Sequence, residues 1–93
     1  MRESTIENHL REEAKKRGGM AVKFVSPGLN GVPDRLVLMP NGRMAFIELK
    51  APGKTPRALQ RKRKRQLEVL GFRVYVVDGL EQIGGILDEI HGT

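Results

Sequence analysis

Apolar residues recur four apart at Ile6, Leu10 and Ala14 in a stretch otherwise rich in Glu, Lys and Arg. That spacing predicts an amphipathic first helix. Ser4 and Glu7 have capping-box spacing at its start, and Gly18-Gly19 supplies its stop. Met20 to Val25 reads as a strand, and Ser26 to Pro33, dense in Gly, Pro and Asn, as a loop. Two apolar runs, Asp34–Met39 and Arg43–Lys50, flank Pro40-Asn41-Gly42, the strongest short-range hairpin signal in the chain. On the second run Ala45, Ile47 and Leu49 share one face, while Met44, Phe46, Glu48 and Lys50 share the other. Thr55-Pro56 has the form of an N-cap followed by proline at the first helical position, which starts a helix running to about Leu70. Its apolar stripe, Leu59, Leu67 and Leu70, is narrow. A strand over Phe72–Val77 and a last amphipathic helix marked by Leu80, Ile83, Leu87 and Ile90 complete the pattern.

The predicted order is α-β-β-β-α-β-α, an α/β (α+β) fold with a mixed sheet and an antiparallel hairpin at its centre. The connection from the Glu48 strand through the basic helix to the Val74 strand is long enough for a parallel crossover. Residues 1–93 read as one domain without repeat or linker. A chain this short buries only about 60–65% of its unfolded surface, which favours oligomerisation.

Charge changes the picture at one place. The net charge is +6, and Arg57, Arg61, Lys62, Arg63, Lys64 and Arg65 carry all of it; the other eleven basic residues balance eleven acidic ones. A basic patch confined to one predicted helix on a balanced body points to a polyanion partner. With no cysteine, disulfides, thiolate zinc sites and cysteine nucleophiles are excluded. No apolar run approaches the roughly 20 residues of a membrane span, so a cytoplasmic protein is expected. The loop over 26–33 lacks the Gly-Lys-Ser/Thr of a phosphate-binding loop. His9 falls on the first helix and His91 in the terminal tail.

The candidate chemistry lies at the hairpin. Glu48 and Lys50 point to the same side of a strand about 6.6–6.8 Å apart, and Asp34, at the start of the antiparallel neighbour, can approach Glu48 across the pair. Carboxylates at the centre of a small sheet are costly to bury without compensation, and a divalent cation compensates them. The Leu49 carbonyl lies near the same edge as a further oxygen donor. Phosphodiester hydrolysis needs oxygen ligands, an activated water and positive charge for the developing oxyanion. Two carboxylates, a carbonyl and a lysine meet those needs.

Gly31-Val32-Pro33-Asp34, then Phe46 to Thr55 (Phe-Ile-Glu-Leu-Lys-Ala-Pro-Gly-Lys-Thr), then Gln60, then Gly71 to Val77 resemble the VRR-NUC (virus-type replication-repair nuclease) domain of the PD-(D/E)xK superfamily. The resemblance spans essentially the whole chain and is of the stand-alone phage and bacterial type. It implies a restriction-endonuclease-like core and a Mg²⁺- or Mn²⁺-dependent DNA endonuclease, structure-selective for branched or junction DNA, in a bacterial or phage-infected cytoplasm. It implies Asp34, Glu48 and the Leu49 carbonyl as metal ligands and Lys50 acting on the attacking water or the transition-state charge. It further implies Glu7 at the metal, directly or through water, and Gln60 at the site or the substrate. Lys54, Arg57, Arg61, Lys62, Arg63, Lys64 and Arg65 are expected to contact DNA. Many relatives carry an aromatic residue at the position of Arg63, a departure that strengthens the DNA-contact reading of the basic run. Cutting both strands of a junction needs two sites, so a homodimer is expected, with the apolar face of the last helix and the 26–33 loop as candidate surfaces. The competing function is a non-catalytic nucleic-acid-binding module using the basic helix over 56–70, from which an intact Asp34, Glu48 and Lys50 set is the distinguishing feature.

Overall fold

The computed structural model describes residues 1–92. In chain order it contains α1 (Glu3–Lys16), β1 (Met20–Lys23), β2 (Arg35–Met39), β3 (Arg43–Leu49), α2 (Ala58–Val69), β4 (Val74–Val77) and α3 (Ile83–His91). The order predicted from the sequence holds. The four strands form one sheet in the order β1-β2-β3-β4. β1, β2 and β3 pair antiparallel, whereas β4 joins β3 in parallel, with Glu48 opposite Val76.

Local chemistry explains most of the element boundaries. The hairpin between β2 and β3 turns at Asn41 (φ 68°) and Gly42 (φ 72°), left-handed conformations that Asn and Gly adopt at least strain. α1 ends where the Gly19 amide returns to the Ala14 carbonyl at 2.9 Å, with Gly18 at φ 81°. The core lies on the sheet face covered by α1 and α3: Ile6, Leu10 and Ala14 meet Val37, Ala45, Ile47, Leu49 and Val77, closed by Ile83, Leu87 and Ile90. Each such aliphatic side chain contributes about 1.5–3 kcal/mol on burial, so these two helices are docked chiefly by apolar packing. Arg17 adds a polar brace between them, donating from Nη1 to Glu13 Oε1 at 2.9 Å and from Nε to Asp88 Oδ1 at 3.0 Å.

The opposite face is built differently. Phe24, Phe46 and Phe72 form a chain of tilted and edge-on rings with centroids 5.6 and 5.8 Å apart. α2 lies over this face, yet none of its residues is buried. Its predicted apolar stripe is largely exposed, Leu70 at 71%.

Several predicted details are corrected. Ser4 and Glu7 form no capping box: the helix begins earlier, with Arg2 at the N-cap and no side-chain cap, and Glu7 pairs elsewhere. Thr55 does not cap α2; Arg57 takes that position, and the Gln60 side chain receives its backbone N–H at 2.8 Å. The last helix is preceded by a 3-10 turn at Leu80–Gln82, and His91 closes α3 and is no tail residue. Its apolar face is spent inside the core, which removes it as a dimer surface. Among the described residues no helix is long and apolar enough to cross a membrane.

Candidate active site

Strand pairing between β2 and β3 runs from Met39↔Arg43 to Arg35↔Ile47 and stops there. One residue beyond, Asp34 leaves the ladder. The Leu49 amide, instead of reaching a strand carbonyl, donates to Asp34 Oδ1 at 3.1 Å. The aspartate is thereby fixed to the strand that carries Glu48 and Lys50. Pro33, fully buried, anchors the chain just before it.

Glu48 is the more enclosed acid, only 5% exposed. Its Oε2 accepts from Gln60 Nε2 at 2.7 Å and lies 3.4 Å from Lys50 Nζ. One carboxylate oxygen therefore joins β3 to the first turn of α2. The same Gln60 side chain holds both Glu48 and the start of its own helix.

Burial raises the carboxyl pKa of Asp34, opposed by hydrogen bonds from the Leu49 amide and its own. Burial also raises that of Glu48, reinforced by the negative charge of Asp34 and opposed by Lys50. Each acid thus resists ionisation where it stands, and Glu48 does so partly because of Asp34. A hard cation between them would reverse both effects. Among the described residues no group of three or more His, Cys, Asp or Glu side chains is arranged to hold a metal ion. The donor set on offer is two carboxylates supplemented by backbone oxygen and water, which suits Mg²⁺ or Mn²⁺, ions that keep several waters. The residues fit the group.

Glu7 stands apart from this pair in its contacts. Its carboxylate forms an ion pair with Arg35, whose Nη1 also reaches the Ala21 carbonyl at 3.4 Å. Arg35 is buried, and the sequence reading did not single it out; its place beside Asp34 on an inward-facing strand position is the signal that marks it. Glu3, also not singled out, contributes negative potential at both Asp34 and Glu48.

The basic residues divide. Lys54, Lys62 and Arg65 are exposed and carry no side-chain hydrogen bond or ion pair among the described residues, and Arg57 is exposed at the N-cap. Arg61 donates to the Pro56 carbonyl at 2.6 Å, and Lys64 pairs with Glu68 at 3.0 Å. Arg63 is half-buried, with Nε 2.7 Å from the Asn30 carbonyl and Nη1 2.9 Å from Gln66 Oε1.

The chain and its fold have known relatives. The chain is 47% identical over 91 residues, 98% of its own length and 97% of the relative's, to the p44 protein of Acyrthosiphon pisum secondary endosymbiont phage 1, whose name provisionally assigns it as a nuclease. A solved structure described as a VRR-NUC domain superposes with a TM-score of 0.85 at 26% identity, covering 92% of this chain and 94% of that one. No sequence-family model matches the chain.

Proposed function

The chain belongs to the VRR-NUC family of nuclease domains, and on that footing we propose that it is a Mg²⁺- or Mn²⁺-dependent DNA endonuclease selective for branched structures. The observation that carries this reading is Glu48 Oε2, held between Gln60 and Lys50 beside the tethered Asp34. Asp34, Glu48 and the Leu49 carbonyl would hold the ion, and Glu7, paired with Arg35 in this structure, would act on it only through water. When bound, the ion lowers the pKa of water and neutralises charge on the scissile phosphate.

The chain's own groups do the rest. Lys50 Nζ, a compact cation on a flexible stem, orients the attacking water and offsets negative charge on the phosphate oxygens. Gln60 fixes the rotamer of Glu48 and keeps its Oε2 committed, so that Oε1 would be the oxygen free for a ligand. Lys54 and Arg57, leading into α2, and Arg61, Lys62, Lys64 and Arg65 along it bind backbone phosphates, contacts that carry no base information and favour recognition of DNA shape. The protein acts in the bacterial or phage-infected cytoplasm as a homodimer, which brings two sites to one junction. With the α3 face inside the core, the 26–33 loop and the exposed Val69 and Leu70 beside it form the contact surface. Sedimentation that gives a monomer while junction cleavage persists would contradict the dimer.

The test compares wild type with Asp34→Asn and Lys50→Ala on linear, flapped and four-way-junction DNA with Mg²⁺ or Mn²⁺. Both variants are expected to bind DNA and to cut at least about 100-fold more slowly. Mn²⁺ is expected to raise the melting temperature of wild type and not that of Asp34→Asn. Equal cutting by all three proteins, or none by wild type on any substrate, overturns the enzymatic reading and leaves a DNA-binding module.

A further inference from the structure

α2 has no buried side chain to hold it, and apolar docking of the kind that fixes α1 and α3 is weak here. Its attachment to the site runs through one face. Gln60 and Arg63, three residues apart, lie on the same side of the helix. Gln60 reaches Glu48 at 2.7 Å, while Arg63 reaches the Asn30 carbonyl at 2.7 Å, across 33 residues of sequence. Leu59, on the adjoining turn, lies so close to Gly31 that a β-carbon there would sit 2.6 Å from Leu59 Cγ and 3.2 Å from its carbonyl oxygen. Gly31 itself has φ +84°, which only glycine adopts without strain. From Asn30 and Gly31 the chain passes through Val32 and the buried Pro33 directly into Asp34.

We infer that Arg63 is a positioning residue that clasps the 26–33 loop to α2 and so sets Asp34 against Glu48, which Gln60 holds from the same helix. The inference rests on the reading of Asp34 and Glu48 as the catalytic acid pair. Arginine suits the task because its planar fork addresses two acceptors at once, Gln66 Oε1 fixing the guanidinium while Nε meets the loop. Arg63 is half-buried and its guanidinium is committed to the protein, unlike the exposed Lys62 and Arg65. The carboxylate is positioned by helix and loop jointly.

The experiment uses the full chain with a four-way junction and Mn²⁺, comparing wild type, Arg63→Gln, Arg63→Lys and Arg65→Ala, with amide hydrogen exchange followed over Gly28–Val32. Arg63→Gln is expected to lower kcat about tenfold or more, as misplacement of a reacting group by a fraction of an ångström does. KM and the salt dependence of binding stay within about twofold, because no phosphate contact is lost. Arg65→Ala shows the reverse, raised KM with kcat retained. Exchange over Gly28–Val32 accelerates in Arg63→Gln while amides of α1 and β3 keep their rates, and Arg63→Lys, which keeps one donor, falls between. A raised KM and shallower salt slope with unchanged kcat in Arg63→Gln makes the residue a phosphate contact and overturns the clasp. Unchanged loop exchange overturns it as well. Should wild type cut no DNA, the catalytic reading falls, and the exchange rates still decide whether Arg63 holds the loop.

Discussion

Asp34 and Glu48 show how one side chain can be worth more to chemistry than to stability. Both are held where burial disfavours their charge, and Asp34 adds to the difficulty of Glu48. Asp34→Asn keeps an oxygen for the Leu49 amide while removing a charge, so it is expected to stabilise the metal-free protein. A gain of roughly 0.5–1 kcal/mol, or about 2–6 °C in Tm for a chain of this size, is anticipated. Thermal melts in EDTA measure it, and a lower Tm for the variant would mean that the aspartate is a net structural asset. The acid pair itself is legible in the sequence because a hairpin places near neighbours opposite each other. The ion pair of Glu7 with Arg35 is not. It depends on how α1 lies across β2, a tertiary fact that overrides the local capping pattern Ser4 and Glu7 display.

At the scale of elements, the strands and the cores of the helices follow from periodicity, and the errors gather at α2. Thr55-Pro56 carries a strong local start signal, yet the helix starts at Ala58 because Gln60, needed at Glu48, also receives the Arg57 amide. The stripe of Leu59, Leu67 and Leu70 resembles a core face but is too sparse to seat the helix. Its charge is the more useful signal. Replacing Lys62 or Arg65 by alanine is expected to weaken binding to all DNA sequences alike and to reduce the log–log salt slope by about one per residue. Titrations at several salt concentrations check this, and an unchanged slope places DNA on another surface. The α1–α3 brace makes a separate prediction. Hydrogen bonds from Arg17 and then Lys16 hold the Glu13 carboxyl below its ordinary value of 4.5. A depressed folded-state pKa gives stability that is present above the unfolded value and lost as pH falls through the folded one. The Tm advantage of wild type over Glu13→Gln is therefore expected at pH 7 and should vanish below the usual carboxylate range. An advantage that persists there assigns the effect to packing.

Taken whole, the molecule has one face closed by apolar packing and one face left for work. α1 and α3 seal the first, and α2, exposed and basic, rides on the second, fastened by polar contacts to the loop and to Glu48. The parallel pairing of β3 with β4 means that this helix is the connection between them, and that arrangement has a consequence in time. The β2–β3 hairpin closes over a few residues and forms within about 1–10 μs, whereas the crossover must close a long loop first. Pulsed hydrogen exchange during refolding is expected to protect Ala45 and Ile47 before the amides of α2 and Val77, whose N–H faces β3. Simultaneous protection would indicate a single concerted step. As the chain leaves the ribosome, then, the two acids meet early and wait together, and the glutamine and arginine that discipline them come later.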